Sequence, residues 1–490
     1  MTSHPISQHI VCSFAGQTPT PAILSAIQQG QISGVTLYRH FNMGNPQQIR
    51  ALTTSLQQAA SDSNQPFLLI AADQEGGTLI AVPETTAFPG NMALGATRSP
   101  DLARRMGHAV GLELLAMGIN TNYAPVCDVN VNPLNPVIGV RSFSEDPDLV
   151  ATLGAAVIEG LQSAGVAATA KHFPGHGDTA QDSHLAAPVV PHDLARLNKV
   201  ELPPFAAAVR AGVKLIMTAH IALPALTNGE PIPATLSHSI LNGLLRGQLE
   251  FEGPIISDAM DMAGVRQGLT MSEASVKSLV AGVDLLLFGP ADQHATQTVY
   301  TAISDALASN TIPAPEAERS AERIASLKQW MQQQTQPPLD VVGCPEHQSL
   351  ALEIAAAATT LVRFDPDLLP LAPTLHADAR IAAVIPIPAN LTPADTSSYI
   401  TPDLATSLRR YHSAVDEFRI PIDPSPEEVS ALIEKLRAYS LVIIGTINAV
   451  THPGQSALVT ALVNLNTPII AVAMRLPYDI LSYPTVQNYV

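Results

Sequence analysis

The segment Val166–Leu185, with the sequence VAATAKHFPGHGDTAQDSHL, contains a dense group of titratable side chains. It begins as a small apolar strand and continues into a loop that Gly175 and Gly177 allow to turn sharply. Such a density of polar groups directly after a buried strand costs stability, so it predicts a functional site rather than a purely structural element. The titratable residues are Lys171, His172, His176, Asp178, Asp182 and His184.

Asp182 and His184 form an Asp–His pair within this loop. A carboxylate two residues from a histidine on an extended loop can hold the imidazole and raise its basicity. The histidine could then give a proton to a leaving group and take one from water. A solvated histidine beside a neighbouring acid is the alternative that these two residues alone leave open.

Asp258 follows an apolar strand directly, in the segment GPIISDAMDM. A carboxylate at that position can act as a nucleophile, bind a metal ion or cap the next helix, and aspartate is a favoured N-cap residue. Other polar residues share this position after a predicted strand, which favours a functional role for Asp258. They are Asp73 after the third strand, Asp128 after the fourth, Lys171 and His172 at the end of the fifth, and His220 at the end of the sixth.

Two further candidates for ligand binding are cations. If the strands form a barrel, Lys171 would point into its mouth, where a buried charge lowers stability unless it is paired or binds a ligand. A salt bridge with Asp73 or Asp128 is the structural alternative. Arg141, in IGVRSFSED, has apolar neighbours that hold it inward, and an ordinary surface arginine is the alternative. Asp73, in DQEGG, precedes glycines that let the backbone approach a ligand.

Short apolar runs alternate with longer amphipathic segments up to residue 335. This alternation is typical of βαβ units in the α/β class. Eight strands are predicted, the number that closes a (β/α)8 TIM barrel, and a doubly wound open sheet is the alternative. In a barrel the polar residues after the strands meet at the C-terminal face, where active sites are found. The predicted strands are Val11–Ala15, Gly34–Tyr38, Phe67–Asp73, Ile119–Pro125, Val166–Lys171, Val213–His220, Gly253–Asp258 and Val283–Phe288, and the clearest helices are Pro46–Ala60, Asp101–Met117, Pro147–Ser163 and Ser272–Ala281.

Proline and glycine residues in QTQPPLDVVGCPEHQ mark a domain boundary. The predicted organisation is a catalytic barrel in residues 1–335, a linker in 336–345 and a smaller α/β domain with a parallel sheet in 346–490. The last segment, YPTVQNYV, has no helix after it, which predicts an incomplete final βα unit. The second domain is predicted to contain strands Arg380–Ile387, Leu441–Gly445 and Pro468–Ala473, and helices His347–Ala357, Asp403–Ser413, Pro426–Ala438 and Gln455–Asn464.

The composition disfavours several classes of partner. The net charge of -17 and the lack of a long basic run argue against nucleic acid and anionic membrane surfaces. Cys12, Cys127 and Cys344 are odd in number and far apart, which predicts reduced thiols. The N-terminus lacks a basic region followed by an apolar core, and no apolar run reaches the length of a membrane span. A cytoplasmic protein is expected, and no feature of the sequence sets its oligomeric state.

A metal centre is the main chemical alternative. The residues His172, His176, His184 and Asp258 could bind zinc, and many barrel hydrolases use metal ions. However, no HxH or HExxH pair is present, and Lys171, whose charge would oppose a cation, lies among the histidines. Chemistry without a metal is therefore favoured.

Together these motifs resemble the family 3 glycoside hydrolases, and most closely their β-N-acetylglucosaminidase branch. The resemblance rests on KHFPGHGDT followed by DSH, and on DQEGG, APVCDVN, IGVRSFSEDP and IISDAM. It covers the whole predicted barrel, and the second domain is similar to the α/β domain that some members carry. It implies double displacement with retention, through an oxocarbenium-like transition state and without a cofactor.

The resemblance also implies roles for individual residues. Asp258 matches the nucleophile that forms a covalent glycosyl-enzyme, and His184 matches the acid/base that this branch uses in place of a glutamate, with Asp182 as its partner. The positions that hold the hydroxyls of the terminal sugar match Asp73, Arg141, Lys171 and His172. The family often has arginines after DQEGG, but here Thr78 and Ala81 stand in those places, so pocket contacts or sugar preference are expected to differ.

The predicted function is a retaining exo-β-N-acetylglucosaminidase, with cell-wall fragments as the substrates that the family implies. A phosphorylase, in which phosphate replaces water in the second step, is an alternative, because a partly cationic histidine would repel phosphate less than a glutamate would. A metal-dependent hydrolase and a sugar-binding protein with a dead site are further alternatives. The joint presence of Asp258, Asp182 and His184 argues against a dead site.

Overall fold

The computed structural model describes residues 9–179, 187–289, 293–371, 375–376, 378–465 and 467–490, with the backbone alone for residues 293–295. The chain divides into two compact units, Met1–Ala358 and Thr359–Val490. Each unit has its own parallel sheet. The described helices include none with the length and hydropathy of a membrane span.

The first unit is built on a parallel barrel. Its described strands are β1 (Ile10–Cys12), β2 (Gly34–Thr36), β3 (Leu69–Ala72), β4 (Gln74–Gly76), β5 (Leu79–Ile80), β6 (Thr121–Asn122), β7 (Ala167–Phe173), β8 (Leu215–Thr218), β9 (Ile255–Ser257) and β10 (Leu286–Leu287). Eight of them pair in parallel in the order β10-β1-β2-β3-β6-β7-β8-β9, and a bridge between Ile256 and Leu285 links the two ends of the sheet. The predicted (β/α)8 barrel is therefore confirmed, and β4 and β5 form an antiparallel hairpin after β3.

The barrel strands are apolar on both faces because each face is covered. In β3, Leu69 and Ala71 belong to the cluster that fills the barrel, whereas Ile70 and Ala72 belong to the cluster that packs against the surrounding helices. This alternation follows from the period of two residues in a strand. The two-sided burial explains why the sequence shows short continuous apolar runs rather than alternating polar residues.

Helices surround the barrel. They are α1 (Pro21–Gln28), α2 (Arg39–Asn42), α3 (Pro46–Asp62), α4 (Asn91–Thr97), α5 (Pro100–Ala116), α6 (Pro147–Ser163), α7 (Leu194–Leu197), α8 (Leu202–Arg210), α9 (Ala263–Arg266), α10 (Met271–Ala281), α11 (Gln293–Ala308), α12 (Ala314–Gln332) and α13 (Pro345–Ala358), with a π-helical segment Ser239–Gln248. Polar N-cap residues determine where several of these helices begin. Asn45 caps α3, and Thr270 and Glu273 form a capping box at α10. The observed α3, α5, α6 and α10 agree with the predicted helices to within two residues at each end.

Helix α13 packs within the barrel unit. Its Leu350 and Ile354 are buried in the larger core, and His347 Nδ1 lies 2.7 Å from Glu113 Oε1 on α5. The predicted second domain, residues 346–490, included this helix, because an amphipathic pattern does not identify the core that a helix covers. In the structure the first compact unit extends to Ala358.

The second unit contains a four-stranded parallel sheet. Its described elements are β11 (Ile381–Pro386), β12 (Val415–Ile420), β13 (Leu441–Thr446), β14 (Ile469–Ala473), α14 (Leu404–Arg409), α15 (Pro426–Leu436) and α16 (Pro453–Val463). The order is β12-β11-β13-β14, so β12 lies at an edge. Strand β12 was not predicted, because its sequence VDEFRI is rich in charge. Asp416 and Arg419 are exposed on this edge strand, where charged side chains are well tolerated.

Candidate active site

The polar residues that follow the barrel strands lie at its C-terminal face, as parallel topology requires. Asp73 directly follows β3, Lys171 and His172 lie in the last three residues of β7, and Asp258 directly follows β9. Arg141 comes from the long loop after β6 and reaches the same face through its ion pair with Glu75, which lies on β4. The structure thus places these predicted site residues at one end of the barrel.

Lys171 is buried and forms two ion pairs. Its Nζ lies 2.7 Å from Asp73 Oδ1 and 2.6 Å from Glu75 Oε1, and its side chain is 2% exposed. Burial would lower the pKa of Lys171, but Asp73 and Glu75 raise it above the usual value, so the lysine is charged. Asp73 is 27% exposed, so its carboxylate can still reach a ligand.

Arg141 and Glu75 form a bidentate ion pair in the same network. Arg141 Nε donates to Glu75 Oε2 at 2.9 Å, and Nη2 donates to Oε1 at 2.8 Å. Burial would raise the pKa of Glu75, but Arg141 and Lys171 lower it to about 2. Asn91 Nδ2 also donates to the backbone carbonyl of Arg141 at 2.7 Å and fixes its turn. Glu75 therefore holds both cations in place.

Asp128 forms hydrogen bonds with both His172 and His176. Its Oδ2 lies 2.7 Å from His172 Nδ1, and its Oδ1 accepts from the backbone N–H of His176 at 2.7 Å. Burial would raise the pKa of Asp128, but His172 lowers it below the usual value. A carboxylate accepts hydrogen bonds, so Nδ1 of His172 carries the proton and Nε2 is the nitrogen that can accept from a ligand. Of the two carboxylates considered as partners of Lys171, Asp73 forms the salt bridge, whereas Asp128 pairs with His172.

His176 is a buried, neutral histidine. Its Nδ1 lies 2.8 Å from Thr179 Oγ1, and its side chain is almost completely buried. Burial lowers the pKa of His176 to about 4, although the neighbouring Asp128 opposes this effect. The ring therefore acts as a structural hydrogen-bonding group at neutral pH.

Asp258 is half-buried between β9 and α9. Its backbone N–H donates to the carbonyl of Thr218 on β8 at 3.1 Å, and its Oδ1 accepts from Ala259 N–H at 2.8 Å. Helix α9 begins only at Ala263, with Met262 at its N-cap, so the helix-capping interpretation of Asp258 is wrong. The carboxylate is positioned by the strand end rather than by a helix.

Tyr38 lies close enough to both Asp73 and Asp258 for their charges to affect its pKa. Burial raises the pKa of Tyr38 well above its ordinary value, and nearby negative charges, among them Asp73 and Asp258, raise it further. The phenol therefore stays protonated and can donate a hydrogen bond near the two carboxylates. From the sequence, Tyr38 was predicted only to end the second strand.

Asp182 and His184 lie outside the described residues, so the structure gives no geometry for this pair. The chain before this pair and the chain after it are joined by Asp178 and His192: Asp178 Oδ2 lies 2.8 Å from His192 Nε2. These two residues lie before and after the Asp–His motif, so their hydrogen bond brings together the chain segments on either side of it.

The first arm of this loop is also fixed against the loop after β6. Asn135 Nδ2 donates to the carbonyls of His176 and Gly177, at 2.9 Å and 3.1 Å. A Cβ on Gly177 would come within 1.8 Å of the carbonyl oxygen of Val129, so that only glycine fits there. The glycine in the predicted site thus permits close backbone packing.

Three potential metal ligands do not come together in the part of the chain that the structure describes. The rings of His172 and His176 are 6.0 Å apart, centroid to centroid, and Asp128 pairs with the first of them. His184, a further residue of the zinc hypothesis, lies in the segment that is not described. Chelation is therefore the test of that hypothesis.

Glu75, which joins Lys171 and Arg141, was not among the predicted site residues. A signal was present, since Glu75 lies two residues after Asp73 in DQEGG, and alternate residues of an extended chain share a face. Its pairing with Arg141, however, joins positions 66 residues apart. Only the fold reveals that contact.

Arg39 was also not singled out from the sequence. Its Nη1 donates to the carbonyl of Ile80 at 2.9 Å, which brings a guanidinium to the β4–β5 hairpin. This hairpin contains Thr78 and is followed by Ala81, the two positions where the family pattern often has arginines. A cation thus reaches this region from α2 instead.

Residues 6–327 match the family profile described as "Glycosyl hydrolase family 3 N terminal domain". A beta-hexosaminidase A of Pseudoalteromonas piscicida is 39% identical over 384 residues, which are 74% of this chain and 64% of that protein. A beta-N-acetylglucosaminidase/beta-glucosidase of Cellulomonas fimi is 33% identical over 368 residues, which are 72% of this chain and 63% of that protein. The match thus spans less than two thirds of the length of either relative.

The fold is similar to a solved structure over nearly its whole length. That structure is a glycoside hydrolase family 3 beta-N-acetylglucosaminidase from Paenibacillus sp. str. FPU-7, with a TM-score of 0.92 and 35% sequence identity. The similarity covers 99% of this chain and 92% of that one. Both the barrel and the second unit therefore have counterparts in that structure.

Proposed function

This chain belongs to glycosyl hydrolase family 3, and we propose that it is a retaining, exo-acting β-N-acetylglucosaminidase. The observation that carries the proposal is the position of Asp258 at the end of β9, on the face that also holds the buried Asp73–Lys171–Glu75 network. The names of the relatives support the choice of sugar. Cell-wall fragments that end in β-linked N-acetylglucosamine are the natural substrates that we propose, from the resemblance of the KHFPGHGDT and DSH motifs.

We assign the binding of the terminal sugar to Asp73, Arg141, Lys171 and His172. The partly exposed carboxylate of Asp73 is fixed by Lys171 on one side and can accept hydrogen bonds from sugar hydroxyls. His172 carries its proton on Nδ1, so Nε2 can accept from a further hydroxyl. A neutral sugar offers hydroxyl and amide groups, and a preorganised set of charged partners orients them.

In the first step, the carboxylate of Asp258 attacks the anomeric carbon while His184 donates a proton to the glycosidic oxygen. The bond between the anomeric carbon and the glycosidic oxygen breaks, the aglycone leaves as an alcohol, and a glycosyl-aspartate forms. The hydrogen bond from Ala259 N–H to Oδ1 sets the orientation of the attacking carboxylate. Asp182 stabilises the cationic form of His184 before the proton is transferred.

In the second step, His184 takes a proton from water as the water oxygen attacks the anomeric carbon. The bond to Asp258 breaks and the carboxylate is regenerated. Each displacement inverts the anomeric carbon, so the two together retain its configuration. At the end of the second step, Asp258 and His184 have both returned to their starting protonation and bonding states, and the cycle uses no metal or cofactor.

The test is turnover of an aryl β-N-acetylglucosaminide beside the matching β-glucoside, in phosphate-free buffer with a chelator. We expect rapid release of the aryl alcohol from the first substrate and slower release from the second. The Asp258→Asn variant is the matched control, because it keeps the shape of the side chain and removes the nucleophile. Absence of release from both substrates by the wild type would contradict the proposal.

Two other outcomes would favour the alternative mechanisms. Turnover that requires added phosphate, with a sugar phosphate as product, would point to a phosphorylase. Turnover that the chelator abolishes and zinc restores would point to a metal-dependent hydrolase.

A further inference from the structure

His220 is a buried histidine near the nucleophile that the mechanism above does not use. It lies two residues after β8, and it is 1% exposed. Its Nδ1 lies 2.9 Å from Thr235 Oγ1, and its Nε2 lies 3.1 Å from the carbonyl oxygen of Ala259. The two ring nitrogens therefore join the loop that contains Thr235 to the turn that contains Asp258.

The partner of Nε2 fixes a proton on the ring of His220. A carbonyl oxygen accepts and does not donate, so Nε2 must carry the proton in its bond to Ala259. On the other side, Thr235 Oγ1 lies 2.7 Å from Thr218 Oγ1 at the end of β8. The ring is thus held on its Nδ1 side by Thr235, which is itself hydrogen-bonded to Thr218, and its Nε2 donates to Ala259 in the turn that contains Asp258.

Ala259 connects His220 to the carboxylate of Asp258. The carbonyl of Ala259 accepts from His220, while its N–H donates to Asp258 Oδ1 at 2.8 Å. The same residue therefore receives one hydrogen bond and supplies the other. Fixing its carbonyl restricts the backbone rotation that would turn its N–H away from the carboxylate.

The segment that carries His220 also pairs with the arm of the chain that follows His184. Ala222 N–H donates to the carbonyl of Pro188, and Val190 N–H donates to the carbonyl of Ala222, each at 2.8 Å. These bonds tie the segment that follows β8 to the chain that follows His184. One short segment therefore contacts both the nucleophile turn and this arm.

We infer that His220 is a positioning residue, which holds Ala259 and through it the carboxylate of Asp258 in the orientation needed for attack. This inference rests on the proposed function, since it assigns His220 to the glycosylation step. Histidine suits the position because its ring spans the distance from Thr235 to Ala259 and bonds at both ends. A nucleophile misplaced by about 1 Å can lose about 100-fold in rate.

The experiment compares His220→Asn with His220→Gln. A glutamine places an N–H group near the position of Nε2 and keeps the bond to Ala259, whereas the shorter asparagine places its amide near Nδ1. The readout is the pre-steady-state burst from an aryl β-N-acetylglucosaminide with a good leaving group, which needs the nucleophile but little protonation. Binding of free N-acetylglucosamine is measured in parallel.

We expect His220→Asn to slow the burst by about 100-fold while the affinity for N-acetylglucosamine stays unchanged. We expect His220→Gln to retain much more of the burst rate. The matched control is His9→Gln. His9 is another buried histidine; it directly precedes β1, and its Nδ1 bonds to the carbonyl of Asp284. That variant should lower stability without changing the burst rate.

Equal burst rates in His220→Asn and His220→Gln would overturn the inference. So would a loss in His220→Asn that accompanies an equal loss of sugar affinity, since that pattern indicates general damage to the site. If His220→Asn does not fold, Thr235→Val removes the support on the Nδ1 side and should slow the burst in the same manner, and an unchanged burst would contradict the inference.

A second readout separates this inference from the proposed function. If the wild type does not release the aryl alcohol, the proposed function fails, but ¹⁵N NMR of the His220 ring still reports its tautomer. A proton on Nε2 is expected from the bond to Ala259. A ring protonated on Nδ1 alone would overturn the positioning role whatever the activity.

Discussion

Glu75 and Lys171 form a buried ion pair, in which Oε1 lies 2.6 Å from Nζ and each side chain is 2% exposed. The same Glu75 binds the guanidinium of Arg141 through two hydrogen bonds. Two buried cations, both assigned to sugar binding, thus share one carboxylate. Because buried charges are stable only when they are paired, this site depends on Glu75.

Replacing Glu75 should therefore reduce both stability and sugar binding. Glu75→Gln keeps the size of the side chain but leaves Arg141 without its anion, and we expect a loss of about 3 kcal/mol in the free energy of unfolding. The measurement is urea unfolding at pH 7, with sugar affinity determined on the folded variant. Glu353→Gln is the control, because its ion pair with Arg105 is half exposed and should contribute little. Equal effects of the two variants would contradict the account.

The pH dependence of Glu75 has a definite sign. Its pKa is depressed to about 2 from an ordinary value of 4.5, so the stabilisation is present above pH 4.5 and is lost as the pH falls towards 2. The wild type should lose stability across that range more steeply than Glu75→Gln does. The ion pairs with Lys171 and Arg141 require Glu75 to be ionised in the folded state. Parallel curves of unfolding free energy against pH for the two proteins would contradict this ionisation.

His176 should contribute to a different part of the pH profile. Its pKa of about 4 in the folded state lies below the ordinary value of 6.5, so unfolding takes up a proton between these values. The contribution of His176 to stability should be complete above pH 6.5 and should fall by about 3 kcal/mol as the pH drops to 4. His176→Asn, which keeps an oxygen near Nδ1 for Thr179, should flatten the curve in this window. An unchanged slope would contradict the assignment.

Removing the nucleophile should abolish turnover without unfolding the protein. Asp258 is half-buried and is not part of the hydrophobic core, so Asp258→Ala should keep the melting temperature within a few degrees while kcat falls by at least about 1,000-fold. Added azide should restore part of the activity and give a glycosyl azide of inverted configuration. Near-normal activity of Asp258→Ala would refute the nucleophile assignment.

The acid role of His184 predicts a dependence on the leaving group. His184→Ala should slow substrates with poor leaving groups far more than activated aryl glycosides, because only the former need protonation. The measurement is kcat/KM over a series of aryl β-N-acetylglucosaminides, with Asp182→Ala showing a weaker form of the same trend. An equal loss across the series would count against the acid role.

Several features of the fold could be predicted because they have local causes. Each barrel strand is a short apolar run buried on both faces, and caps such as Asn45 mark the first residues of helices. The position of Asp258 after β9 follows from the same pattern. The helix-cap interpretation of Asp258 failed because the next helix begins only at Ala263.

Other features depend on contacts that the sequence does not display. Glu75 could not be assigned as the anion for Arg141 until the fold brought the two together. Leu350 and Ile354 form a helical apolar stripe, but the stripe alone does not indicate that it packs in the barrel unit. The charged sequence of β12 concealed a strand because an edge position tolerates exposed Asp416.

The most direct test of the central claim is to trap the covalent intermediate and locate it. A 5-fluoro analogue of an aryl β-N-acetylglucosaminide destabilises the oxocarbenium-like transition state and, with a good leaving group, should accumulate the glycosyl-enzyme. Peptide mass spectrometry should then find one sugar on the peptide that contains Asp258, and none in Asp258→Ala. A sugar attached to another residue, or turnover with inversion and without any covalent adduct, would contradict the account.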